Sequence, residues 1–565
     1  MRILLIYPYF IEERVHAEDI KAVPIGLYSV AAVLKENHHD VEVLNWHDMG
    51  KNPNLIEEAL RQKKPHVVGF SVLHANRWGA IEIARIAKRL DPKTKIVFGG
   101  IGATFLWEHL LSHFSEIDFV VLGEGECAFL NLIGYLERPD SKPPEHVKGL
   151  AFRKNGDIVR TEDEDLIEDL DELPIPAKYF EYQHVSSSRG CAWQCRFCGS
   201  PLFWRKKIRF RSPEHFVDEL EMLYKKGVTF FYFSDDTFTM KKKRVIEICQ
   251  AIIKRGLQIT WYAVSRVNIL DENVLLWMRK AGCIQISYGI ESGSEKIRRV
   301  LGKHIETDQI KKAFALTTKY GILSRAYFIY GAPGETWETI QETIDLIHVI
   351  KPLSVVFYIL DLFPGTELYR ELEKESGLTD DIWLNKIEGV MYFETVPDLE
   401  DELILAFGRK LRTAFYENVH AFANAVHLVN RKELYGFHAD FFSRLSMTFS
   451  HGDYSKIDAV KEKEKTAERL YRKALSYCPN HRAYLGLGII NQKRGENEES
   501  VKILSEGTRF FPDSEALNIC LGISYMNLGD YQRALSRFSK FPDSREVKEF
   551  IIQCSKALEG ATEVK

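Results

Sequence analysis

Long apolar runs are missing from this sequence. No stretch approaches the roughly 18 apolar residues that a helix needs to cross a bilayer. The apolar start Ile3–Tyr7 is stopped by Pro8 and followed by Glu12 and Glu13, so it is too short for a signal peptide and fits a first β-strand better. One-sided charge is missing too, because 76 basic and 80 acidic residues give a net charge of −4 without large blocks. We therefore expect a cytoplasmic protein with no membrane span and no nucleic-acid partner.

A disulfide framework is also missing. The nine cysteines are an odd number, and their spacing is irregular. Disulfide frameworks are typical of short secreted chains with regular cysteine spacing. We expect reduced thiols, with any close group of cysteines serving a metal.

What is present is a chain of 565 residues with 45% hydrophobic residues, an ordinary globular composition. At about 150 residues per domain, this length predicts three to four domains. In residues 1–140, short Val- and Ile-rich runs alternate with amphipathic stretches, which is typical of a parallel sheet covered by helices on both faces. The predicted strands are Ile3–Tyr7, Val41–Trp46, Val67–Leu73, Lys95–Gly99 and Phe119–Gly123.

A polar segment, residues 141–180, follows this first region. It contains the dipeptide Asn155-Gly156, which favours hairpin turns, and the acidic run Glu162–Glu172. We interpret the segment as a connector that wraps between two larger units.

Strand–helix alternation resumes in residues 181–375. Six such units predict a partial (β/α)6 barrel, in which chemistry collects on the loops at the carboxyl ends of the strands. The predicted strands are Val185–Ser188, Thr229–Phe233, Ile259–Val264, Ile284–Ile290, Ser324–Tyr330 and Ser354–Leu360.

The remaining chain is predicted to be helical, first in residues 376–455 and then as repeats in residues 456–565. Gly488 recurs as Gly522, and Gly495 recurs as Gly529, each at a spacing of 34 residues. A period near 34 with small residues at helix-packing positions is typical of tetratricopeptide repeats. The expected fold class is therefore α/β: a Rossmann-like domain, a partial (β/α)6 barrel of the TIM type and an all-α tail.

Three cysteines lie within eight residues on a predicted loop: Cys191, Cys195 and Cys198. Cubane iron–sulfur clusters normally take four thiolates, so three would leave one iron open to another ligand. A zinc site completed by a distant ligand is an alternative, but zinc usually takes cysteine pairs and no second pair is present. A chance group of core cysteines is the other alternative, and it fits poorly with a loop that contains Arg189 and Gly190.

The C-x3-C-x2-C spacing, with an aromatic residue before the last cysteine, resembles the radical S-adenosylmethionine (SAM) superfamily. The resemblance covers roughly residues 1–375, and it implies a 4Fe-4S cluster on the three cysteines and SAM as a cofactor. Four further segments at predicted strand ends resemble that family: Asp235–Phe238, Gly289–Gly293, Gly331–Thr336 and Phe363–Leu368.

The resemblance also implies contacts to SAM. Glu291 could accept hydrogen bonds from the ribose or amino group, or simply be a carboxylate near a helix N-terminus. Arg266 could hold the SAM carboxylate with two hydrogen bonds, or form a surface ion pair. The glycines could let the backbone approach the adenine, or only shape turns. The expected set is Phe197, Gly199, Arg266, Glu291, Ser292, Gly331 and Gly334.

Glycine-rich loops follow two strands of the first region. Gly123–Ala128 fits the G-x-G-x-x-A pattern of dinucleotide sites, but Glu124 and Glu126 would then face a pyrophosphate at a helix N-terminus that should attract anions. Residues 1–140 instead resemble the cobalamin-binding domain often fused ahead of radical SAM barrels. The resemblance implies a cobalamin site at Ser71, Gly99, Gly100, Gly102, Thr104, Gly123, Glu124 and Gly125.

The sequence lacks D-x-H-x-x-G, the motif that supplies a histidine to cobalt in some cobalamin enzymes. His16, His47 and His74 are possible substitutes, although a lone histidine is more often structural. We expect no protein histidine on cobalt, and this absence slightly favours methyl transfer over radical isomerisation.

The resemblance implies a mechanism as well. The reduced cluster would cleave SAM to a 5′-deoxyadenosyl radical, which takes a hydrogen from an unactivated carbon, and methylated cobalamin would then deliver its methyl group. We therefore expect a methyltransferase. The alternatives are an oxidative cyclase or other non-methylating radical enzyme and, from another class, a cobalamin or redox sensor. Expected partners are a small-molecule or carrier-bound substrate, an electron donor such as flavodoxin or ferredoxin, and a protein or peptide at the repeats.

Overall fold

The computed structural model describes residues 1–11, 21–138, 143–396 and 400–562. In these residues the chain forms two α/β units followed by a helical region. No helix among them is long and apolar enough to span a membrane.

The first unit is built on a seven-stranded sheet with the strand order β2-β1-β3-β4-β5-β6-β7, in which β1 to β5 are parallel. The five parallel strands agree with the predicted ones to within two residues at each end. The strands are β1 Arg2–Tyr7, β2 Asp40–Asn45, β3 Val67–Ser71, β4 Lys95–Gly99, β5 Phe119–Val121, β6 Leu150–Lys154 and β7 Asp157–Arg160. The helices are α1 Ile25–Glu36, α2 Pro53–Lys63, α3 Arg77–Leu90, α4 Ile101–Phe105, α5 Trp107–His113 and α6 Gly125–Glu137.

The segment interpreted as a connector is in part an extension of this sheet. Strands β6 and β7 form a hairpin around Asn155-Gly156, and β6 pairs antiparallel with β5. Leu150, Ala151 and Phe152 are buried against the sheet. The polar composition of the surrounding segment hid this short apolar strand, so the interpretation of residues 141–180 as a connector alone was wrong.

The second unit contains a six-stranded parallel sheet in the order β15-β14-β13-β12-β11-β8. This is the expected partial barrel. Its strands and an adjoining pair are β8 His184–Val185, β9 Ser188–Arg189, β10 Arg209–Phe210, β11 Phe230–Phe233, β12 Thr260–Ser265, β13 Cys283–Glu291, β14 Leu323–Tyr330 and β15 Ser354–Ile359. Its helices are α7 Ser200–Phe203, α8 Pro213–Lys225, α9 Lys242–Lys254, α10 Glu272–Lys280, α11 Glu295–Val300, α12 Thr307–Lys319, α13 Trp337–Ile350 and α14 Glu367–Ser376.

The rest of the described chain is helical. Small residues recur in it because successive helices approach closely: a Cβ on Gly488 would lie 2.5 Å from Leu504, and one on Gly522 would lie 2.5 Å from Phe538. The helices are α15 Asp401–Tyr416, α16 Val419–Asn424, α17 Tyr435–Ser450, α18 Lys463–Leu475, α19 His481–Lys493, α20 Asn497–Phe510, α21 Glu515–Asn527, α22 Tyr531–Phe538 and α23 Val547–Thr562.

The helical region is packed onto the barrel. One continuous hydrophobic core runs from the barrel strands through α17 and α18 into the following helices. The Tyr454 hydroxyl donates to the carbonyl of Leu353, 2.6 Å away, at the start of β15. The helices that follow residue 456 therefore pack on residues 376–455 rather than extend freely, as expected.

Candidate active site between the two sheets

A cavity of about 380 Å³ lies between the carboxyl ends of the first sheet and the second unit. The first sheet contributes the loops that follow β3, β4 and β5, together with the start of α1. The second unit contributes Ser186 and Ser188 near β8 and β9, Ser200 and Trp204 around α7, and Ser234 after β11. The carboxyl ends of both sheets therefore open into one space.

Glycines occupy several positions on the wall supplied by the first sheet, among side chains that are mostly apolar. We call five lining glycines the glycine cradle: Gly26, Gly99, Gly100, Gly123 and Gly125. A Cβ on Gly26 or Gly123 would have no heavy atom within 4 Å, so side chains there would project into the cavity. Gly100 and Gly123 also have φ values of 92° and 71°, which favour glycine.

The residues expected to bind cobalamin divide into two groups. Gly102 and Thr104 do not line the cavity: Gly102 packs against the backbone of Leu73 and His74, and the Thr104 hydroxyl accepts from the Gly123 N–H at 3.0 Å. These two residues shape the loops instead. The residues that do line it are Ser71, Gly99, Gly100, Gly123, Glu124 and Gly125.

Glu124 is committed to other partners although it borders the cavity. Arg189 donates to Glu124 and to Glu126 at 2.6 Å each, and Arg209 donates to Glu124 at 2.6 Å. Glu124, Glu126 and Arg209 are only 6%, 3% and 5% exposed. We call these four residues the ion-pair network. It joins the start of α6 to the strand just before Cys191, and it is the reason for two acidic residues in a glycine-rich loop.

The histidines considered as cobalt ligands lie away from the cavity wall. His74 is buried and its Nε2 lies 2.9 Å from Asp361 Oδ2, while His47 contacts Asp48. His16 lies outside the described residues. The histidine that lines the cavity in the described part of the chain is His215, whose Nδ1 accepts from Arg211.

The three cysteines lie on the cluster loop, residues 190–199, between β9 and α7. Gly190 has a φ of 96°, and a Cβ there would lie 2.1 Å from the carbonyl of Lys207. The N–H of Arg196 donates to Leu301, and the Arg196 carbonyl accepts from the N–H of Leu368. The loop is thus fixed by backbone contacts to the ends of α11 and α14.

The thiols themselves are half-buried and form no disulfide. Burial raises the pKa of Cys198 to about 12, and burial also raises the pKa of Cys195 despite the nearby Lys303 and Arg266. The three sulfur atoms do not all lie within 4.8 Å of one another, a wider spacing than the roughly 3.8 Å expected around a single zinc ion.

Arg266 lies against the cluster loop. Its Nη1 is 4.0 Å from Cys195 Sγ, and its guanidinium lies 4.0 Å from the centre of the Trp193 ring. The Nε of Arg266 and the Nε1 of Trp193 are buried and have no hydrogen-bond partner within the described residues. Two donors beside the cysteines are therefore available to a ligand.

The other residues expected to contact SAM have mixed surroundings. Glu291, with a φ of 68°, accepts from Lys303 Nζ at 2.8 Å, and both side chains are buried close enough to Cys195 to affect its pKa. The Ser292 hydroxyl instead lies 3.3 Å from Thr343 in the barrel wall. Gly331 donates its N–H to Glu335 at 2.5 Å.

Gly199, Phe197 and Gly334 complete this set. A Cβ on Gly199 would lie 3.1 Å from Ile101 of the first unit, and Phe197 packs against the core of that unit. Gly334 is exposed at a turn with a φ of 71°. The structure thus brings Arg266 and Glu291 to Cys195, and it gives the other expected residues packing or turn positions.

Two residues of the site carried no signal in the sequence. Lys303 and Trp193 are isolated residues in loops, and their proximity to Glu291 and Arg266 depends on the barrel closing. Arg189 had an indirect signal, because two glutamates at a helix N-terminus require a nearby cation when buried.

Comparison with known proteins identifies the family. Residues 185–347 match the radical SAM superfamily and residues 20–133 match the B12 binding domain. An uncharacterized methyltransferase of Pyrococcus horikoshii is 33% identical over 381 residues, which cover 65% of this chain and 82% of that protein. The chain belongs to the radical SAM superfamily and carries a B12-binding domain.

Two other relatives of this radical SAM enzyme are informative. The anaerobic magnesium-protoporphyrin IX monomethyl ester cyclase of Rubrivivax gelatinosus is 32% identical over 348 residues, covering 58% of this chain and 62% of that protein. The cobalamin-dependent SAM radical enzyme OxsB, solved with aqua-cobalamin, superposes with a TM-score of 0.58 at 15% identity, covering 98% of this chain and 84% of that chain. The OxsB likeness shows a shared fold.

The cofactors of this radical SAM enzyme are a 4Fe-4S cluster, SAM and cobalamin. The residues present fit them. The cluster loop offers three unpaired thiols, the unpartnered Arg266 Nε and Trp193 Nε1 lie beside them, and the glycine cradle leaves open the space that side chains would fill.

Proposed function

We propose that this enzyme transfers a methyl group to an unactivated carbon of a small-molecule or carrier-bound substrate. One observation carries the proposal: the glycine cradle and the residues that follow the cluster loop line the same cavity. Ser200, two residues after Cys198, belongs to that lining. In this proposal both cofactors face that common space, so that one substrate carbon reaches both.

When bound, the cluster with SAM supplies hydrogen abstraction and cobalamin supplies a transferable methyl group. The chain positions and isolates these groups. We propose that Cys191, Cys195 and Cys198 hold the cluster, and that Arg266 binds the SAM carboxylate through the donor left unpartnered beside Cys195. The buried Lys303–Glu291 pair presents a fixed carboxylate to the SAM ribose or amino group.

Apolar walls keep water away from the reacting atoms. Ile101, Phe203 and Trp204 line the cavity near the cluster loop. A radical that abstracts hydrogen from any accessible C–H bond needs such exclusion, because side reactions compete with the intended one.

The test is an anaerobic reaction with SAM that carries a trideuterated methyl group. We expect 5′-deoxyadenosine together with a product that gains one deuterated methyl group, when the small-molecule fraction of an anaerobic extract is supplied as substrate. The Cys198→Ala enzyme is the control and should give neither. A product without the label, formed with stoichiometric 5′-deoxyadenosine, would overturn methyl transfer.

Oxidative ring closure without methyl transfer is a second candidate reaction. The similarity to the Rubrivivax cyclase favours it. The same labelling experiment decides between the two, because a cyclised product loses hydrogen and retains no deuterated methyl group.

We further propose that a flavodoxin or ferredoxin reduces the cluster, and that the enzyme acts in the cytoplasm, where its nine unpaired cysteines stay reduced.

Helices α18 to α23 are proposed to be tetratricopeptide-type repeats that receive a protein, a peptide or a carrier that presents the substrate. The tail exposes Phe510 and Leu528, at 52% and 45%. If it recruits a carrier, Phe510→Ser and Leu528→Ser should lower product formation at low substrate concentration without lowering 5′-deoxyadenosine formation. If the tail instead forms a homodimer, light scattering should show that these variants have half the mass of the wild-type protein.

A further inference from the structure

Two histidines and an aspartate lie close together outside the cofactor cavity. His109 and His113 lie four residues apart on α5, so they share one face of the helix. Asp381 lies on a short 3-10 helix, Asp380–Leu384, which follows the barrel. None of the three lines the cavity or belongs to the cluster loop.

The geometry of this group is compact. Each residue places one ligand atom within 4.8 Å of the other two, and it is the one such set of three histidine, cysteine or acidic residues in the described parts of the chain. His113 Nε2 lies 4.0 Å from Asp381 Oδ1, and the two imidazole rings are 4.5 Å apart. His113 Nδ1 faces the carbonyl of His109 at 3.0 Å, which leaves its Nε2 for a ligand.

A second observation points to a ligand. His109 is only 8% exposed, yet its Nε2 has no hydrogen-bond partner among the described residues. Buried polar atoms in folded proteins are nearly always satisfied, and an exception calls for a bound water or ion. Of the acidic and basic side chains near His109, Asp380 and Asp381 are negative and Arg77 is positive, which favours a cation beside the histidines.

We propose that His109, His113 and Asp381 form a binding site for a divalent transition metal ion, with zinc as the best match. Two imidazoles and one carboxylate are a familiar ligand set for zinc, and water completes the tetrahedron. Ligand atoms around zinc at about 2.0–2.1 Å lie about 3.4 Å apart. His113 and Asp381 are exposed, so small side-chain rotations close the remaining distance, and the metal enters from solvent.

The metal would link α5 of the first unit to the 3-10 helix that follows the barrel. The 3-10 helix that carries Asp381 also carries Trp383, which stacks on Arg77 at 5.1 Å and contacts His74 at 5.6 Å. Arg77 and His74 lie beside the loop that leads from β3 to the cavity. A metal at Asp381 thus fixes the segment that covers this loop from outside.

The test uses the full chain with its 4Fe-4S cluster intact and zinc as the probe. We expect wild-type enzyme dialysed against zinc to hold one zinc ion more than His113→Ala or Asp381→Ala, with affinity lowered roughly 100-fold or more in each variant. Ser112→Ala, a neighbouring exposed position on α5, is the matched control and should bind zinc as the wild type does.

Zinc K-edge X-ray absorption reports the neighbours of zinc without interference from the iron of the cluster. We expect nitrogen and oxygen neighbours at about 2.0–2.1 Å and no sulfur. Zinc should also raise the melting temperature of the wild type and leave that of His113→Ala unchanged. Equal zinc binding by His113→Ala and wild type, or a sulfur shell at about 2.3 Å, would overturn the proposal, because the zinc would then lie elsewhere or on the cluster cysteines.

Discussion

The carboxyl ends of the two sheets are built in opposite ways. At the first sheet, glycines and mostly apolar side chains line the cavity. The second presents thiols, a guanidinium, a carboxylate and an ammonium within a few ångströms of one another. From this difference we expect a large preformed cofactor to be accommodated by glycines at the first sheet, and small reacting groups to be positioned by charged side chains at the second.

The largest expected effect is at the cluster loop. Cys198→Ala should abolish iron retention and SAM cleavage together, because a cluster left with two thiolates loses its hold on the chain. Iron content and 5′-deoxyadenosine are the measurements. Cys478→Ala, in the helical tail, is the control and should keep both. Full SAM cleavage by Cys198→Ala would contradict the proposal that this cysteine holds the cluster.

Filling the glycine cradle should affect the other cofactor alone. Gly26→Leu places a side chain in the open space without backbone strain and should weaken cobalamin binding by about 1–3 kcal/mol, roughly 5- to 150-fold. Iron content should not change. Gly134→Leu is the matched control, since it also has free space around it but lies outside the cavity. Unaltered cobalamin affinity in Gly26→Leu would show that the cradle is not the binding surface.

The ion-pair network between the first unit and the second unit should contribute to the free energy of unfolding. Arg189→Met leaves Glu124 and Glu126 buried without their shared cation, which should cost about 3–5 kcal/mol in the free energy of unfolding. Burial raises the pKa of Glu126, but Arg189 outweighs this and holds it below the usual 4.5. The stabilisation is therefore complete above that pH and is lost as the pH falls through the lowered pKa. Urea unfolding at several pH values measures it. Arg160→Met, at an exposed ion pair, should change stability by less than about 1 kcal/mol.

A smaller effect is expected at the turn after β14. Burial raises the pKa of Glu335 to about 7, although the N–H groups of Gly331 and Ala332 lower it. The folded state therefore binds a proton that the unfolded chain releases, so stability should fall by about 3 kcal/mol as the pH rises from 4.5 to 7. Glu335→Gln should remove this slope in thermal unfolding profiles. An unchanged slope would place the titration elsewhere.

The last prediction concerns a histidine substitution that we expect to leave the cobalamin spectrum unchanged. If no protein histidine binds cobalt, electron paramagnetic resonance of the cob(II)alamin form should show no histidine nitrogen splitting, and His74→Ala should leave the spectrum as it is. The reason is that His74 already contacts Asp361. A nitrogen splitting that disappears in His74→Ala or His215→Ala would contradict the prediction.

The sequence predicted most strands to within two residues, because buried parallel strands read as short Val- and Ile-rich runs between amphipathic helices. It missed β6 and β7, where a short apolar strand lies in a polar segment and only pairing with β5 buries it. In the site, the cysteine spacing was local and visible. The pairing of Arg189 with Glu124, 65 residues away in the chain, depends on tertiary structure and could not be read.

Arg189 lies two residues before Cys191 and holds both glutamates at the start of α6. Swinging the first unit away from the barrel would expose two carboxylates and break three short ion pairs at once. The contact between the two units therefore depends on buried charge as well as on apolar packing, and separating them would cost the pairing of both buried carboxylates.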